Sequence, residues 1–300
     1  MPKIVTPGGL TVHFQQLGEG QDVILLHGLT GNLAVWHFQI LPRLWRDFRC
    51  LTYDLRGHGY TQMTPTGYSC TQLAADLLGL MDALSIERAD LVGHSLGADV
   101  ALYFACLYPD RVRRMVLIEP MVPALVYSPT RLGARAGPEG EYRSPPGLLS
   151  WFGGLVVKAG VPLPKPEEIE RDALIRFILR YPNQWGPMKD LPTAWSEEAA
   201  FRLLKETTLV QDLAEIGVLT RKRIREIRTP THLVCDHASR IWRRSYNSLK
   251  RLLPNVTHTM VKTDSRDKAH FMPMENSALV AEQIVLALGV EDRPGYHVGR

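Results

Sequence analysis

The chain has 300 residues, 45% of them apolar, which is enough to fill one large core with an insertion. Its formal net charge of +4 reflects 35 basic and 31 acidic residues, a balance that argues against a nucleic-acid partner. No stretch approaches the roughly 18 uninterrupted apolar residues of a membrane span, and Met1–Pro7 holds no apolar signal core. We expect a cytoplasmic globular protein, a monomer or a homodimer, with no membrane partner.

The cysteines indicate neither a disulfide framework nor a metal site. The chain has 4 of them, without the paired spacing of metal ligands. Most fall in or beside apolar segments, where cysteine packs as a small hydrophobic residue. We predict no metal and no cofactor.

The first part of the chain alternates apolar runs with turns. Segments 3–6 and 10–15, separated by two glycines, predict an antiparallel hairpin. Runs 23–26 and 48–53 are typical of strands buried on both faces of a mostly parallel sheet. An amphipathic helix is predicted over 73–84.

The next apolar run leads into a serine between two glycines, Gly93-His94-Ser95-Leu96-Gly97. A strand is predicted over 90–92 and a helix over 96–108, stopped by Pro109. A serine two residues from a glycine on each side, between a strand and a helix, fits a tight turn that exposes its hydroxyl. We interpret Ser95 as a catalytic nucleophile.

Four sequence blocks, in this order and spacing, resemble an α/β-hydrolase fold enzyme of the capped serine hydrolase or esterase type. They are His27–Gly31, Asp54–Gly59, Gly93–Gly97 and His270–Phe271. The resemblance covers nearly the whole chain. It implies an α/β fold in which helices flank a mostly parallel central sheet.

Composition changes after the strand predicted at 115–118. Between Pro123 and Pro192 lie 11 of the 21 prolines, among broken helical segments. We predict that residues 123–215 form a helical cap, or lid, inserted into a core made of residues 1–122 and 216–300.

Caps of the resembled family sit over the mouth of the active site. The cap contains apolar candidates for a substrate pocket, among them Trp151, Phe152 and Trp185. Any one of them can instead pack the cap onto the core. Together they favour a small, apolar substrate.

The second part of the core is predicted to contain strands at 231–235 and 256–261 and helices at 241–253 and 275–288. The basic run Arg221–Arg225 has apolar residues at helical spacing, so we interpret it as a solvated helix face.

A serine hydroxyl needs a base to accept its proton. The resemblance places that base after the last strand and before the last helix, which selects His270 over His237 and His258. His58 lies between glycines and is interpreted as a loop residue, in a turn that the pair Asp54 and Arg56 can hold.

The acid that orients the base is where the sequence departs from the family. Most relatives place an aspartate three or four residues beyond the strand that here ends at Cys235, and that place falls on Ser239. Some branches, including haloalkane dehalogenases, instead take the acid from the end of the strand after the nucleophile helix, which here is Glu119. We favour Glu119 and keep Asp236 as the alternative, with Asp264 and Asp267 as outsiders.

In the resembled family two backbone N–H groups bind the developing oxyanion, and here they belong to Leu29 and Leu96. The sequence thus predicts a serine hydrolase for an uncharged, largely apolar ester, lactone or thioester. Two alternatives stay open: a C–C bond hydrolase or perhydrolase, and an idle or non-hydrolytic member of the fold, a cyclase or small-molecule binder.

Overall fold

A computed structural model describes residues 2–29, 31–37, 40–126, 197–213, 217–239, 242–262, 270 and 272–289 of the chain. Eight strands of these residues form one sheet. They are β1 (Lys3–Val5), β2 (Thr11–Leu17), β3 (Gln21–Leu26), β4 (Phe48–Tyr53), β5 (Ala89–His94), β6 (Val112–Ile118), β7 (Thr231–Asp236) and β8 (Val256–Val261).

Ten α-helical segments accompany the sheet in the described ranges. They are α1 (Leu41–Leu44), α2 (Cys70–Ala83), α3 (Leu96–Leu107), α4 (Pro123–Val126), α5 (Glu197–Glu206), α6 (Leu209–Asp212), α7 (Arg221–Glu226), α8 (Trp242–Leu252), α9 (Met272–Glu275) and α10 (Ser277–Leu288). Two 3₁₀ turns, Leu33–Trp36 and Pro109–Arg111, complete the described elements. None of these helices is long and apolar enough for a bilayer crossing.

The strand order is β1-β2-β4-β3-β5-β6-β7-β8. The first two strands pair antiparallel, as does β2 with β4, and every other neighbouring pair is parallel. The predicted α/β fold with its mostly parallel sheet is confirmed. Because parallel strands end at one edge, the segments after β3, β5, β6 and β7 meet there.

Successive residues of the central strands face opposite layers of the core. In β3, Ile24 and Leu26 join a cluster with α2 and α3, whereas Val23 and Leu25 join a second cluster with α1 and α10. This period of two explains the continuous apolar run, since both faces of the sheet are covered by helices.

Only part of the predicted cap falls within the described residues, namely 123–126 and 197–213. Within the second range, α5 and α6 occur, and Leu203 and Leu204 of α5 are buried. The boundaries of the cap stay a prediction.

Candidate active site

Ser95 lies between the end of β5 and the start of α3, in a strained backbone conformation. Its φ is 52° and its ψ is −118°, a region that residues other than glycine rarely adopt. Such strain costs about 1–3 kcal/mol and persists where the surroundings enforce it. Here the Ser95 N–H donates to the Ile118 carbonyl at 2.9 Å, and the Ser95 carbonyl accepts the N–H of Ala98 at 2.9 Å.

The two flanking glycines are required by close backbone contacts. A Cβ at Gly93 would overlap the backbone of Gly97, and one at Gly97 would overlap the backbone of Leu26. The sharp turn from strand to helix therefore depends on both glycines, as expected for a turn that lifts a hydroxyl above the sheet edge.

His270 lies next to Ser95 although the two are far apart in sequence. Its Nε2 is 3.1 Å from Ser95 Oγ, within hydrogen-bonding distance. Its backbone carbonyl accepts a hydrogen bond from His94 Nε2 at 2.7 Å. His94 thus anchors the main chain of His270, while the imidazole itself faces the serine.

Glu119 follows β6 and approaches the other nitrogen of the same imidazole. Its Oε2 is 3.5 Å from His270 Nδ1, and its side chain is fully buried. Its backbone is also strained, with φ at 52°, and its N–H donates to the Val234 carbonyl at 2.9 Å. Serine, imidazole and carboxylate therefore form a continuous chain across the carboxyl ends of β5 and β6.

Asp236, the alternative acid, occupies a different position in this arrangement. Its backbone N–H donates to Glu119 Oε1 at 2.6 Å, and its carboxylate Oδ1 accepts the N–H of Ala238 at 2.6 Å. Ser239, where most relatives have the aspartate, is buried. The backbone at the end of β7 thus binds the carboxylate of Glu119, the residue that follows the neighbouring strand β6.

The other candidates lie elsewhere or outside the described residues. His237 and His258 are exposed, and His258 Nδ1 is 3.1 Å from the Tyr246 hydroxyl. Asp264 and Asp267 lie outside the described residues, as do the predicted pocket residues Trp151, Phe152 and Trp185.

Burial favours the neutral forms of both members of the acid–base pair. It raises the pKa of Glu119 to about 8, against the opposing effects of the Asp236 N–H and the nearby Ser239 and Cys235 side chains. It lowers the pKa of His270 to about 3. A neutral imidazole can accept the serine proton, so the protonation state of Glu119 becomes the pH-sensitive element of the site.

The segment after β3 lies against the serine. A Cβ built on Gly28 would be 3.2 Å from Ser95 Cβ, so the backbone of Gly28 and Leu29 borders the nucleophile. His27 fixes this segment, because its Nδ1 donates to the Gly28 carbonyl at 2.8 Å and its Nε2 accepts the Leu55 N–H at 3.0 Å. Leu96 follows Ser95 directly, at the first turn of α3. The two backbone N–H groups expected to bind an oxyanion thus come from segments next to Ser95.

Asp54 and Arg56 hold the loop after β4 through local and distant contacts. Within the loop, Asp54 Oδ2 accepts the Tyr60 N–H at 2.9 Å, as expected of a residue that holds a turn. Asp54 also pairs with His13 at 2.6 Å, and Arg56 makes a bidentate pair with Asp76 at 2.5 and 2.7 Å. His58 is buried, and its Nδ1 is 2.9 Å from the Arg56 carbonyl. The distant pairs are the part that local sequence does not reveal.

One residue at the site was not singled out by the sequence. Trp242, the first residue of α8, stacks on His270 with ring centroids 3.8 Å apart and planes inclined by 19°. The only sequence signal is its position three residues after Ser239. Among the described residues, no group of three or more His, Cys, Asp and Glu side chains is arranged to hold a metal ion.

Comparisons with known proteins agree with this architecture. A sequence model described as the alpha/beta hydrolase fold matches residues 23–147, which include most of β3, all of β4 to β6, and Ser95. Together with the strand order, this shows that the chain has the α/β-hydrolase fold. The resemblance stated from the sequence is therefore confirmed for the fold.

Similar sequences include several hydrolases. The chain is 38% identical over 120 residues to the 2-hydroxy-6-oxo-2,4-heptadienoate hydrolase of Pseudomonas putida, covering 39% of this chain and 43% of the relative. It is 35% identical over 129 residues to epoxide hydrolase 3 of Siraitia grosvenorii, covering 41% of each. The chain thus matches less than half the length of these relatives.

Solved structures resemble the chain over nearly its full length. The enol-lactonase from Burkholderia xenovorans LB400 has a TM-score of 0.63 at 22% identity, covering 96% of this chain and 99% of that chain. A hydrolase from Pseudomonas aeruginosa PA01 has a TM-score of 0.64 at 20% identity, covering 96% and 98%. At these identities the likeness shows the fold alone.

Proposed function

We propose that this chain is a serine hydrolase that cleaves an uncharged, largely apolar carboxylic ester, lactone or thioester through an acyl-enzyme. One observation carries the proposal: Ser95 Oγ is 3.1 Å from His270 Nε2, and Nδ1 of the same ring is 3.5 Å from Glu119 Oε2. A nucleophile, a base and an orienting acid in contact are the minimal set for acyl transfer.

The arrangement supports the following reaction. His270 takes the proton of Ser95 as the oxygen attacks the carbonyl carbon, and Glu119 stabilises the imidazolium that results. The N–H groups of Leu29 and Leu96 donate to the oxyanion. His270 then protonates the leaving alcohol, and a water molecule, activated by the same imidazole, releases the acid.

The preference for an apolar substrate rests on the sequence-based prediction for the cap residues Trp151, Phe152 and Trp185. A lactone is an ester closed into a ring, so the same groups would act on it.

A second candidate is hydrolysis of a carbon–carbon bond next to a ketone. The relative from Pseudomonas putida is named for 2-hydroxy-6-oxo-2,4-heptadienoate, which contains a ketone and no ester bond. Serine attack on that ketone uses the same oxyanion donors. Epoxide opening is less compatible with Ser95, because serine attack on an epoxide would leave an ether that water does not readily cleave.

The first test is hydrolysis of p-nitrophenyl esters from C2 to C12 by the wild-type protein and the Ser95→Ala variant. We expect the wild type to be active, with a chain-length optimum that measures the acyl pocket, and Ser95→Ala to lose at least about 10³-fold in kcat. A fluorophosphonate probe should label the wild type and not the variant.

The outcomes separate the candidates. A wild type that cleaves a 6-oxo-dienoate and no ester would favour the carbon–carbon hydrolase. A wild type that neither cleaves esters nor takes up the fluorophosphonate would contradict the proposal and favour a non-hydrolytic or idle protein.

A further inference from the structure

The imidazole of His270 contacts two other rings in addition to Ser95 and Glu119. Trp242 lies face to face with it, with centroids 3.8 Å apart and planes inclined by 19°. The His94 ring is 4.9 Å away and inclined by 38°. Among the described residues, the titratable groups that face His270 from the other elements are His94, from β5, and Glu119, after β6.

The carboxylate contact to His270 is long for an orienting hydrogen bond. The distance of 3.5 Å between Nδ1 and Oε2 lies beyond the usual range of about 2.7–3.2 Å for such bonds. The second oxygen of Glu119 is committed to the Asp236 N–H at 2.6 Å. The carboxylate therefore leaves a role for a second contact in fixing the plane of the imidazole.

Trp242 is placed to make that contact. It begins α8, three residues after Ser239, and its indole lies face to face with the His270 imidazole. The face of an indole carries negative charge density, so it attracts a cation stacked on it.

We propose that Trp242 is a positioning residue that fixes the plane of the His270 imidazole and stabilises the imidazolium formed when Ser95 gives up its proton. The proposal rests on the proposed serine hydrolase function. Trp242 acts through His270, and its effect belongs to the transition state, where the imidazole carries positive charge. A loss of Trp242 should therefore lower kcat and leave KM nearly unchanged.

The test compares Trp242→Phe, which keeps an aromatic face, with Trp242→Leu, which does not. The matched control is Trp45→Leu, because Trp45 is an exposed tryptophan that takes no part in the site. With a p-nitrophenyl ester we expect Trp242→Leu to lose about 2- to 30-fold in kcat, Trp242→Phe to lose less, and the control to match the wild type.

A second measurement needs no activity. In protein labelled at the histidine Cε1 carbon, the ring current of a stacked indole shifts the attached His270 proton upfield in the NMR spectrum. The His270 signal is assigned by its loss in His270→Gln. Trp242→Leu should move it downfield, while thermal unfolding shows whether the variant is folded.

The outcomes are distinguishable. An active wild type whose kcat is unchanged in a folded Trp242→Leu variant overturns the positioning role alone, as does a rise in KM without a fall in kcat or a His270 signal that does not move. An inactive wild type overturns the proposed function, and the positioning role falls with it.

Discussion

The carboxylate of Glu119 accepts the backbone N–H of Asp236 at 2.6 Å. This bond joins the end of β6 to the end of β7 and leaves the other carboxylate oxygen directed at His270. The main chain at the end of β7 thus binds the Glu119 carboxylate. If Glu119 orients the histidine, Asp236 contributes its main chain rather than its carboxylate.

The first prediction separates the two carboxylates. Glu119→Gln should lower kcat for ester hydrolysis by on the order of 10³- to 10⁴-fold, because a neutral amide cannot stabilise the imidazolium or hold the correct tautomer. Asp236→Asn is the matched control: it also removes one carboxylate, but the backbone N–H that binds Glu119 stays. We expect a loss of less than about tenfold for it. The reverse ranking of the two variants would assign the acid to Asp236.

The second prediction concerns pH. Burial raises the pKa of Glu119 to about 8 and lowers the pKa of His270 to about 3. The active form needs an ionised Glu119 and a neutral His270. We therefore expect kcat/KM to rise with pH and reach half its maximum near pH 8, since Glu119 loses its proton there while His270 is already neutral.

The measurement is a pH profile of kcat/KM for a p-nitrophenyl ester, corrected for spontaneous hydrolysis. Asp236→Asn should keep an inflection but move it to lower pH, because the Asp236 charge helps to raise the pKa of Glu119. The residual activity of Glu119→Gln should lack the inflection. An inflection that survives in Glu119→Gln would show that another group titrates.

The position of Ser95 could be predicted from a local signal, because a serine between two glycines after an apolar run defines the tight turn. His270 was selected by the resemblance to the α/β-hydrolase fold, which places the base before the last helix. Their catalytic roles, like that of Glu119, remain predictions. The alternation of apolar runs and helical segments was also sufficient to predict the mostly parallel sheet.

Contacts between distant segments could not be predicted in the same way. The stack joins Trp242, the first residue of α8, to His270, which is distant in sequence. A tryptophan at the start of a helix looks like any core residue. Besides their contacts within the loop, Asp54 pairs with His13 and Arg56 pairs with Asp76, both distant in sequence. A sequence pattern indicates which face of a helix or strand a residue occupies, but tertiary packing decides which side chain it contacts there.

The third prediction tests the tight turn around Ser95. Gly97→Ala should destabilise the fold by several kcal/mol, or prevent folding, because its Cβ would overlap the backbone of Leu26, which cannot move without distorting β3. Gly8→Ala is the control, since a Cβ there meets only the Thr6 hydroxyl at 3.9 Å. Urea unfolding of both variants measures the difference. A Gly97→Ala variant as stable as Gly8→Ala would show that the backbones are further apart than described.

The fourth prediction concerns the segment that follows Glu119. Asp99, buried in α3, accepts the backbone N–H of Met121 at 2.8 Å, and Ser245 Oγ accepts that of Val122 at 3.0 Å. These two bonds fix the chain just beyond the proposed acid. Asp99→Ala would remove the carboxyl acceptor of the buried Met121 N–H, so we expect a loss of about 1–3 kcal/mol in the free energy of unfolding, with a lower kcat.

The control for this prediction is Asp99→Asn, which is chosen because of the protonation of Asp99. Burial raises the pKa of Asp99 well above its ordinary value and so favours the neutral carboxyl in the folded protein. The unfolded chain binds fewer protons at this group, so the free energy of unfolding falls as pH rises above the ordinary aspartate pKa. Asp99→Asn keeps a side-chain oxygen that can accept the Met121 N–H. It also removes the loss of stability with rising pH, because an amide does not titrate. Thermal unfolding should therefore show Asp99→Asn to be more stable than wild type at pH 8, with a smaller difference at pH 5. A variant less stable than wild type at pH 8 would mean that Asp99 is ionised in the fold.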